Sequence, residues 1–389
     1  MPDTSSLDRL QNHSLKEYPN ITQLLRSVYQ SLGAPLTADS TAKTGLYPAQ
    51  QLTQDLGLDQ TYRAVCVVLI DGLGLEQLQA CRAHTPFLRN HGTPAVKGHT
   101  VLPSTTATAL TSLTTGAFVA QTNMFGWSVK TPQGVGNLIN FQNIALPPQT
   151  WQPVEPLFTK AKTQYGVASQ VISHPRFADS GLTQAAFRGA TFVGAETFDQ
   201  RITAGIEHLQ RGSGLAYLYW SELDHIGHAK GWQSLEWVEE LEQVDSKLKT
   251  LVSACPADAA VILTADHGMI DVDPRQRIDL ADHPQLARSV TGIAGEGRCV
   301  QLHIEPGQTQ SVVAAWKDFF GEKVLLTTDP SGVFRGRPSA LFTADALVFS
   351  LENQVIVDSR TQPAGQVNLV GVHGSVTEAE LSIPMWRLA

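Results

Sequence analysis

Cysteine is sparse in this chain of 389 residues. Cys66, Cys81, Cys255 and Cys299 are the whole supply, and no two of them form a C-x-x-C pair. That scatter excludes a disulfide framework and a zinc knuckle, and predicts ordinary buried thiols in a reducing compartment. Clusters of Lys and Arg are missing too; 28 basic against 36 acidic residues leave a formal charge of −8. An acidic chain without a basic stripe offers a nucleic-acid backbone nothing to settle on. No apolar run approaches the roughly 20 residues a membrane span needs, so no membrane contact is expected. The opening Met-Pro-Asp-Thr-Ser-Ser lacks the basic start and apolar centre of a signal peptide, and a cytoplasmic location is expected. Repeats and low-complexity tracts are absent.

What is present is a globular composition, 42% hydrophobic and 16% charged, long enough for one large α/β domain with a smaller insertion. The strongest local signal is Ala64-Val-Cys-Val-Val-Leu-Ile-Asp71-Gly. A β-branched apolar run bounded by glycine reads as a strand buried on both faces of a parallel sheet. Ligands collect outside the carboxyl ends of such strands, which is where Asp71 stands. Capping of the next helix is the alternative role for its carboxylate.

Similar signals recur along the chain. Residues 1–60 read as an N-terminal helical arm, with Ile21, Leu24, Leu25, Val28 and Leu32 at helical spacing and Gly33 with Pro35 ending that helix. Leu75 to His84 reads as a helix stopping before Pro86. Ser104-Thr-Thr-Ala-Thr-Ala-Leu-Thr-Ser-Leu-Thr-Thr-Gly116 reads as a helix despite its β-branched threonines. Those hydroxyls have two accounts: capping and back-bonding to the preceding turn, or a nucleophile at a helix N-terminus that attracts an anion. Val167–Ile172, Gly214–Trp220 and Ala259–Thr264 read as further strands, alternating with helices at Phe198–Gln210 and Leu235–Leu251. His174-Pro-Arg176 and Ser180-Gly-Leu-Thr183 follow the first of these strands. The core is expected at 61–274 and 366–389, and residues 275–365 read as an inserted α+β cap subdomain.

Asp71, Asp224, His228, Asp266, His267 and His373 all fall just past strand ends or in returning loops. Taken singly each has a plain structural role, but buried carboxylates converging on one face repel one another unless a cation holds them. Mixed imidazole and carboxylate donors suit Zn²⁺, with Mn²⁺ or Fe as competitors.

With Ile70-Asp71-Gly, the Ser104–Gly116 stretch, Asp224-x-x-Gly-His228, Ala265-Asp-His-Gly268 and Val372-His-Gly374 in this order, the chain resembles the alkaline phosphatase superfamily. Its nucleotide pyrophosphatase/phosphodiesterase branch is the most similar, over about Val65 to Gly374. The resemblance implies a three-layer α/β/α fold around a largely parallel sheet. It also implies two zinc sites, one taking Asp224, His228 and His373, the other Asp71, Asp266, His267 and the nucleophile hydroxyl. That hydroxyl is Thr106, counted ten residues before Gly116, with Thr105 as fallback. The implied activity is hydrolysis of phosphodiester or pyrophosphate bonds in small phosphorylated molecules such as nucleotides, through a phosphothreonine. Phosphomonoesterase, phosphonate hydrolase and an inactive phospho-ligand binder are the alternatives. The sulfatase branch is excluded, because no C/S-x-P-x-R stretch exists. One departure stands out: the asparagine expected beyond the nucleophile helix is Trp127 here, with Asn123 nearby but out of register. Substrate contact is expected from one of these two.

Overall fold

A β-branched apolar run can be buried on both faces only inside a sheet, and Ala64–Ile70 (β1) lies there with every residue buried. The computed structural model describes residues 17–36, 47–91 and 95–389. The opening hexapeptide, and residues 1–16 and 37–46 of the helical arm, lie outside the described residues. Within the arm, Ile21–Ser31 (α1) starts at a reciprocal cap. The Asn20 side chain accepts from the Thr22 N–H, and the Gln23 side chain accepts from the Asn20 N–H. Its buried Ile21, Leu24, Leu25 and Val28 pack the arm onto the threonine-rich helix.

After β1, the central elements are Ala95–His99 (β2), Thr106–Thr115 (α2), Ser169–Ser173 (β3), Thr191–Gly194 (β4), Phe198–Arg211 (α3), Gly214–Trp220 (β5), Glu222–Lys230 (α4), Leu235–Ser253 (α5) and Ala259–Thr264 (β6). Val290–Glu296 (β7), Cys299–Ile304 (β8), Thr309–Phe320 (α6), Val324–Thr327 (β9) and Ala346–Ser350 (β10) come next, and Ser382–Arg387 (β11) follows them. Seven strands form the central sheet in the order β2-β11-β6-β1-β5-β3-β4. β1 is parallel to both β5 and β6, and β3 is parallel to β5 and β4. β11 runs antiparallel between β2 and β6. This is the mixed α/β architecture with a large, mostly parallel sheet that the motifs implied. Three of the four cysteines are buried and all four are free.

Residues 277–357 carry a second, antiparallel sheet in the order β7-β8-β10-β9. Its own apolar cluster includes Val300, Leu302, Trp316 and Val348. A buried ion pair fastens this region to the core. Arg298, at the start of β8, donates from Nε and Nη2 to the two Glu380 carboxylate oxygens at 3.0 and 2.7 Å, and both side chains are fully buried.

Two local expectations are corrected. The helix from Leu75 ends at Ala80 and is replaced by a tight turn at Arg82–His84 before a new helix begins at Pro86. No side chain caps α2: Thr105 occupies the cap position without a capping hydrogen bond, and Ser104 turns instead to the 374–375 loop. The other threonine account does hold, because Thr111 and Thr115 donate to carbonyls four residues back. Gly116 closes the helix in the left-handed conformation.

Candidate metal centre and active-site cleft

Strand register alone assembles half of the centre. Ile70 pairs with Trp220 and Leu69 with Thr264, so Asp71, Ser221 and Asp266 emerge side by side at the carboxyl edge of β1, β5 and β6. The loops beyond these ends touch backbone to backbone. A Cβ on Gly268 would come within 2.0 Å of the Ala379 carbonyl, so no larger residue fits beside His267. α4 begins directly after β5, and its i, i+4 spacing places Asp224 and His228 on one face. His373 returns on the 371–375 loop, which is stitched to the start of α2. The Gly374 N–H donates to Ser104 Oγ at 3.2 Å, and Ser104 Oγ donates to the Ser375 carbonyl at 2.7 Å.

Two triads result, Asp224 with His228 and His373, and Asp71 with Asp266 and His267. Within each, one donor atom per residue lies within 4.8 Å of the others. Each imidazole is oriented the same way. Nδ1 meets a backbone carbonyl: Gly371 at 2.8 Å from His228, Gly268 at 3.0 Å from His267 and Ser104 at 2.9 Å from His373. The Nε2 lone pairs are thereby aimed at the carboxylates, the orientation of metal-binding histidines. Nε2 of His228 lies 3.2 Å from Asp224, and Nε2 of His267 lies 3.5 Å from both Asp71 and Asp266. Thr106 Oγ1, at the first turn of α2, is 3.2 Å from His267 Nε2, joining the nucleophile candidate to the second triad.

The electrostatics of these groups are unresolved without a cation. Burial, reinforced by neighbouring carboxylates, pushes the Asp71 acid well above its ordinary value, and burial raises Asp266 as well. Asp224 resists the same burial because His228 and His373 hold it low, and the pairing drives His228 up to about 9. Burial and His267 push His373 down. Oδ1 of Asp71, Oδ1 of Asp224 and Oδ2 of Asp266 are all buried without a hydrogen-bond partner. Three orphaned carboxylate oxygens beside three aimed imidazoles fit divalent cations and fit little else.

Two cavities, of about 230 and 270 Å³, open from this centre, and Thr105, Trp127, His228 and His373 line both. The first also reaches Asp71, Thr106, Asp224, Tyr217 and Tyr219; the second runs past Glu296 and Val355. Of the two residues from which the sequence reading expected a substrate contact, Trp127 lines both cavities. Asn123 does not. It lies in the left-handed conformation after a short helical turn, which points its carboxamide inward. There it donates to the Trp151 carbonyl at 2.8 Å and accepts from Ser339 Oγ at 2.9 Å.

Several cleft residues were not foreseen. Tyr219 donates its hydroxyl to Asp71 Oδ2, and its i, i+2 relation to Tyr217 on a strand was the signal that both face the same side. Glu296, at the end of β7, accepts from the Trp127 N–H at 3.1 Å, and burial pushes its acid up to about 8. Nothing in the sequence near Glu296 announces this, because it arrives from the second sheet.

The sequence profile of the type I phosphodiesterase / nucleotide pyrophosphatase family matches residues 65–375. Comparison with curated proteins finds no match. Among solved structures, murine ectonucleotide pyrophosphatase / phosphodiesterase 5 is 18% identical with a TM-score of 0.63, covering 82% of this chain and 87% of its own. An inactive form of that protein in complex with AMP has the same identity and score over 83% of this chain and 87% of its own. Phosphonoacetate hydrolase from Sinorhizobium meliloti 1021 in complex with phosphonoacetate is 18% identical at a TM-score of 0.64, covering 84% and 90%. The described residues include no helix long and apolar enough to cross a membrane. Matched through 311 of its positions, the chain belongs to the type I phosphodiesterase / nucleotide pyrophosphatase family, whose members are metal-dependent hydrolases of phosphoric ester and anhydride bonds.

Proposed function

We propose that this protein hydrolyses small phosphodiesters or pyrophosphates at a two-metal centre, with Thr106 as nucleophile. The supporting observation is the pair of triads with orphaned carboxylate oxygens, the second of which holds the Thr106 hydroxyl 3.2 Å from His267 Nε2. Asp224, His228 and His373 would hold one ion, and Asp71, Asp266, His267 and Thr106 the other. Zn²⁺ suits the mixed donors best, with Mn²⁺ and Fe as rivals. What such ions supply when bound is positive charge, two of them offsetting three aspartates with one unit to spare for a phosphate.

The chain's own groups do the rest. Tyr219 fixes Asp71 by its hydroxyl, and the three backbone carbonyls fix the imidazole tautomers. Thr106 attacks phosphorus through Oγ1, the leaving group departs opposite, and water then hydrolyses the phosphothreonine. Two cavities meeting at one centre suit a phosphorus that carries two organic groups, and so favour a diester over a monoester. The test is cleavage of bis-p-nitrophenyl phosphate against p-nitrophenyl phosphate, with and without chelator, by wild type and Thr106→Ala. Chelator-sensitive diester cleavage that falls at least 10³-fold in the variant, while metal content is retained, supports the proposal. Near-normal activity in Thr106→Ala would move the nucleophile to Thr105 or elsewhere.

A further inference from the structure

The chemistry above leaves His174-Pro-Arg176 and Ser180-Gly-Leu-Thr183 unused, yet Arg176, Ser180, Leu182 and Thr183 of these stretches line the cleft that contains Asp71, Thr106 and Asp224. Arg176 is exposed at this wall, its guanidinium 4.7 Å from the Phe177 ring centroid, and among the described residues no carboxylate pairs with it. A cation without a carboxylate, laid against an aromatic ring in a cleft, is a pre-oriented fork for a planar anion. An independent observation lies deeper in the same cavity. Tyr217 is 0% exposed, and its hydroxyl has no hydrogen-bond partner. A buried donor left unmade is costly unless a ligand satisfies it. Phe177, Phe187 and Tyr217 provide an apolar wall around it, with Phe187 and Tyr217 5.3 Å apart at their centroids.

The spacing sets the length of the ligand. Tyr219 bonds Asp71, the Tyr219 and Phe177 rings lie 6.1 Å apart, and Arg176 sits on Phe177. The cation is thus two aromatic rings removed from the metal-side carboxylate. An acid one carbon from phosphorus cannot span that gap, whereas one on the far side of a flat organic group can.

We propose that Arg176 and this aromatic wall form a substrate subsite for an organic group that is flat, apolar along its length and ended by a second acid, a carboxylate or phosphate. The inference rests on the phosphodiesterase reading and names the substrate class for that site. Phenyl 4-carboxyphenyl phosphate and phenyl 4-carbamoylphenyl phosphate are matched diesters differing in the distal charge. In the metal-loaded protein, Arg176→Gln lowers the carboxylate-over-carboxamide ratio of kcat/KM about tenfold, and Arg176→Lys keeps part of it. An unchanged ratio in Arg176→Gln overturns the subsite. Calorimetric binding of 4-carboxyphenylphosphonate against 4-carbamoylphenylphosphonate reads the same discrimination without turnover. Arg176-dependent discrimination in binding with neither ester cleaved would sink the phosphodiesterase reading and leave the subsite standing. Both esters cleaved with no Arg176-dependent discrimination would do the reverse.

Discussion

Replacing Arg298 by Met should both loosen the fold and weaken the metal centre. Arg298 gives two hydrogen bonds to Glu380 and two more to the Glu352 and Gln354 carbonyls, all buried except the part-buried one to Glu352. Glu380 in turn accepts from the Ser375 N–H at 2.9 Å and the Thr377 hydroxyl at 2.6 Å, and its carbonyl accepts from the Gly268 N–H at 2.9 Å. The pair therefore supports the two loops that carry His373 and His267. Removing one partner of a buried pair costs about 3–5 kcal/mol, because the other charge is stranded. At roughly 2.1 cal/mol/K per residue, unfolding 389 residues releases about 0.8 kcal/mol/K, so 4 kcal/mol lowers the midpoint by about 5 °C. Supporting interactions behind histidine ligands are worth about 10–100-fold in metal affinity. Calorimetric unfolding and a Zn²⁺ titration read the two effects separately. The Arg298→Met, Glu380→Met double variant should recover part of the lost midpoint, since it strands no charge. A single variant within 1 °C of wild type that binds metal normally would refute the reasoning.

Further outcomes follow from other residues. Tyr219→Phe removes the donor on Asp71 and should lower metal affinity about 10–100-fold in the same titration, with little change in helix content by circular dichroism. Chelation should lower the unfolding midpoint, and metal at a thousandfold excess over Kd should restore about 4 kcal/mol per site; identical midpoints with and without metal would contradict the assignment of the triads. His303→Gln should flatten acid sensitivity. Burial, helped by Lys130 and opposed by Asp345 and the Thr343 backbone, lowers this imidazole to about 4. The unfolded chain therefore binds the extra proton between pH 6.5 and 4, and stability present above pH 6.5 drains away as pH falls through that window. Urea titrations at pH 7 and pH 5 should show about 2 kcal/mol less loss in the variant.

The strands that carry Asp71, Asp224 and Asp266 were legible because burial on both faces demands unbroken apolar runs, and Gly214–Trp220 and Ala259–Thr264 begin and end where the pattern says. Asp71 and Asp266 were picked out for the same reason, since they sit where those runs stop, whereas Asp224 and His228 lie on the helix after β5 and His373 on a returning loop. Residues whose role depends on three-dimensional approach were not. Glu296 meets Trp127 across 169 positions from another sheet, and no local pattern encodes that meeting. Asn123 is the converse case. Its position along the chain suggested the cleft, but a left-handed backbone turned it towards Trp151. The helix from Leu75 shows a third limit, since the sequence reading carried it to His84, with Pro86 as its stop, and the backbone ends it at Ala80.

β11 occupies an interior place in the central sheet although it follows the other six strands of that sheet along the chain. Until it emerges from the ribosome, β2 and β6 each present an open edge of unpaired amides and carbonyls, and the sheet cannot close. A nascent chain of this protein thus spends the translation of more than a hundred residues, the whole second sheet included, with a half-built central sheet. Chaperone demand during biosynthesis should be set by that interval rather than by the stability of the finished molecule.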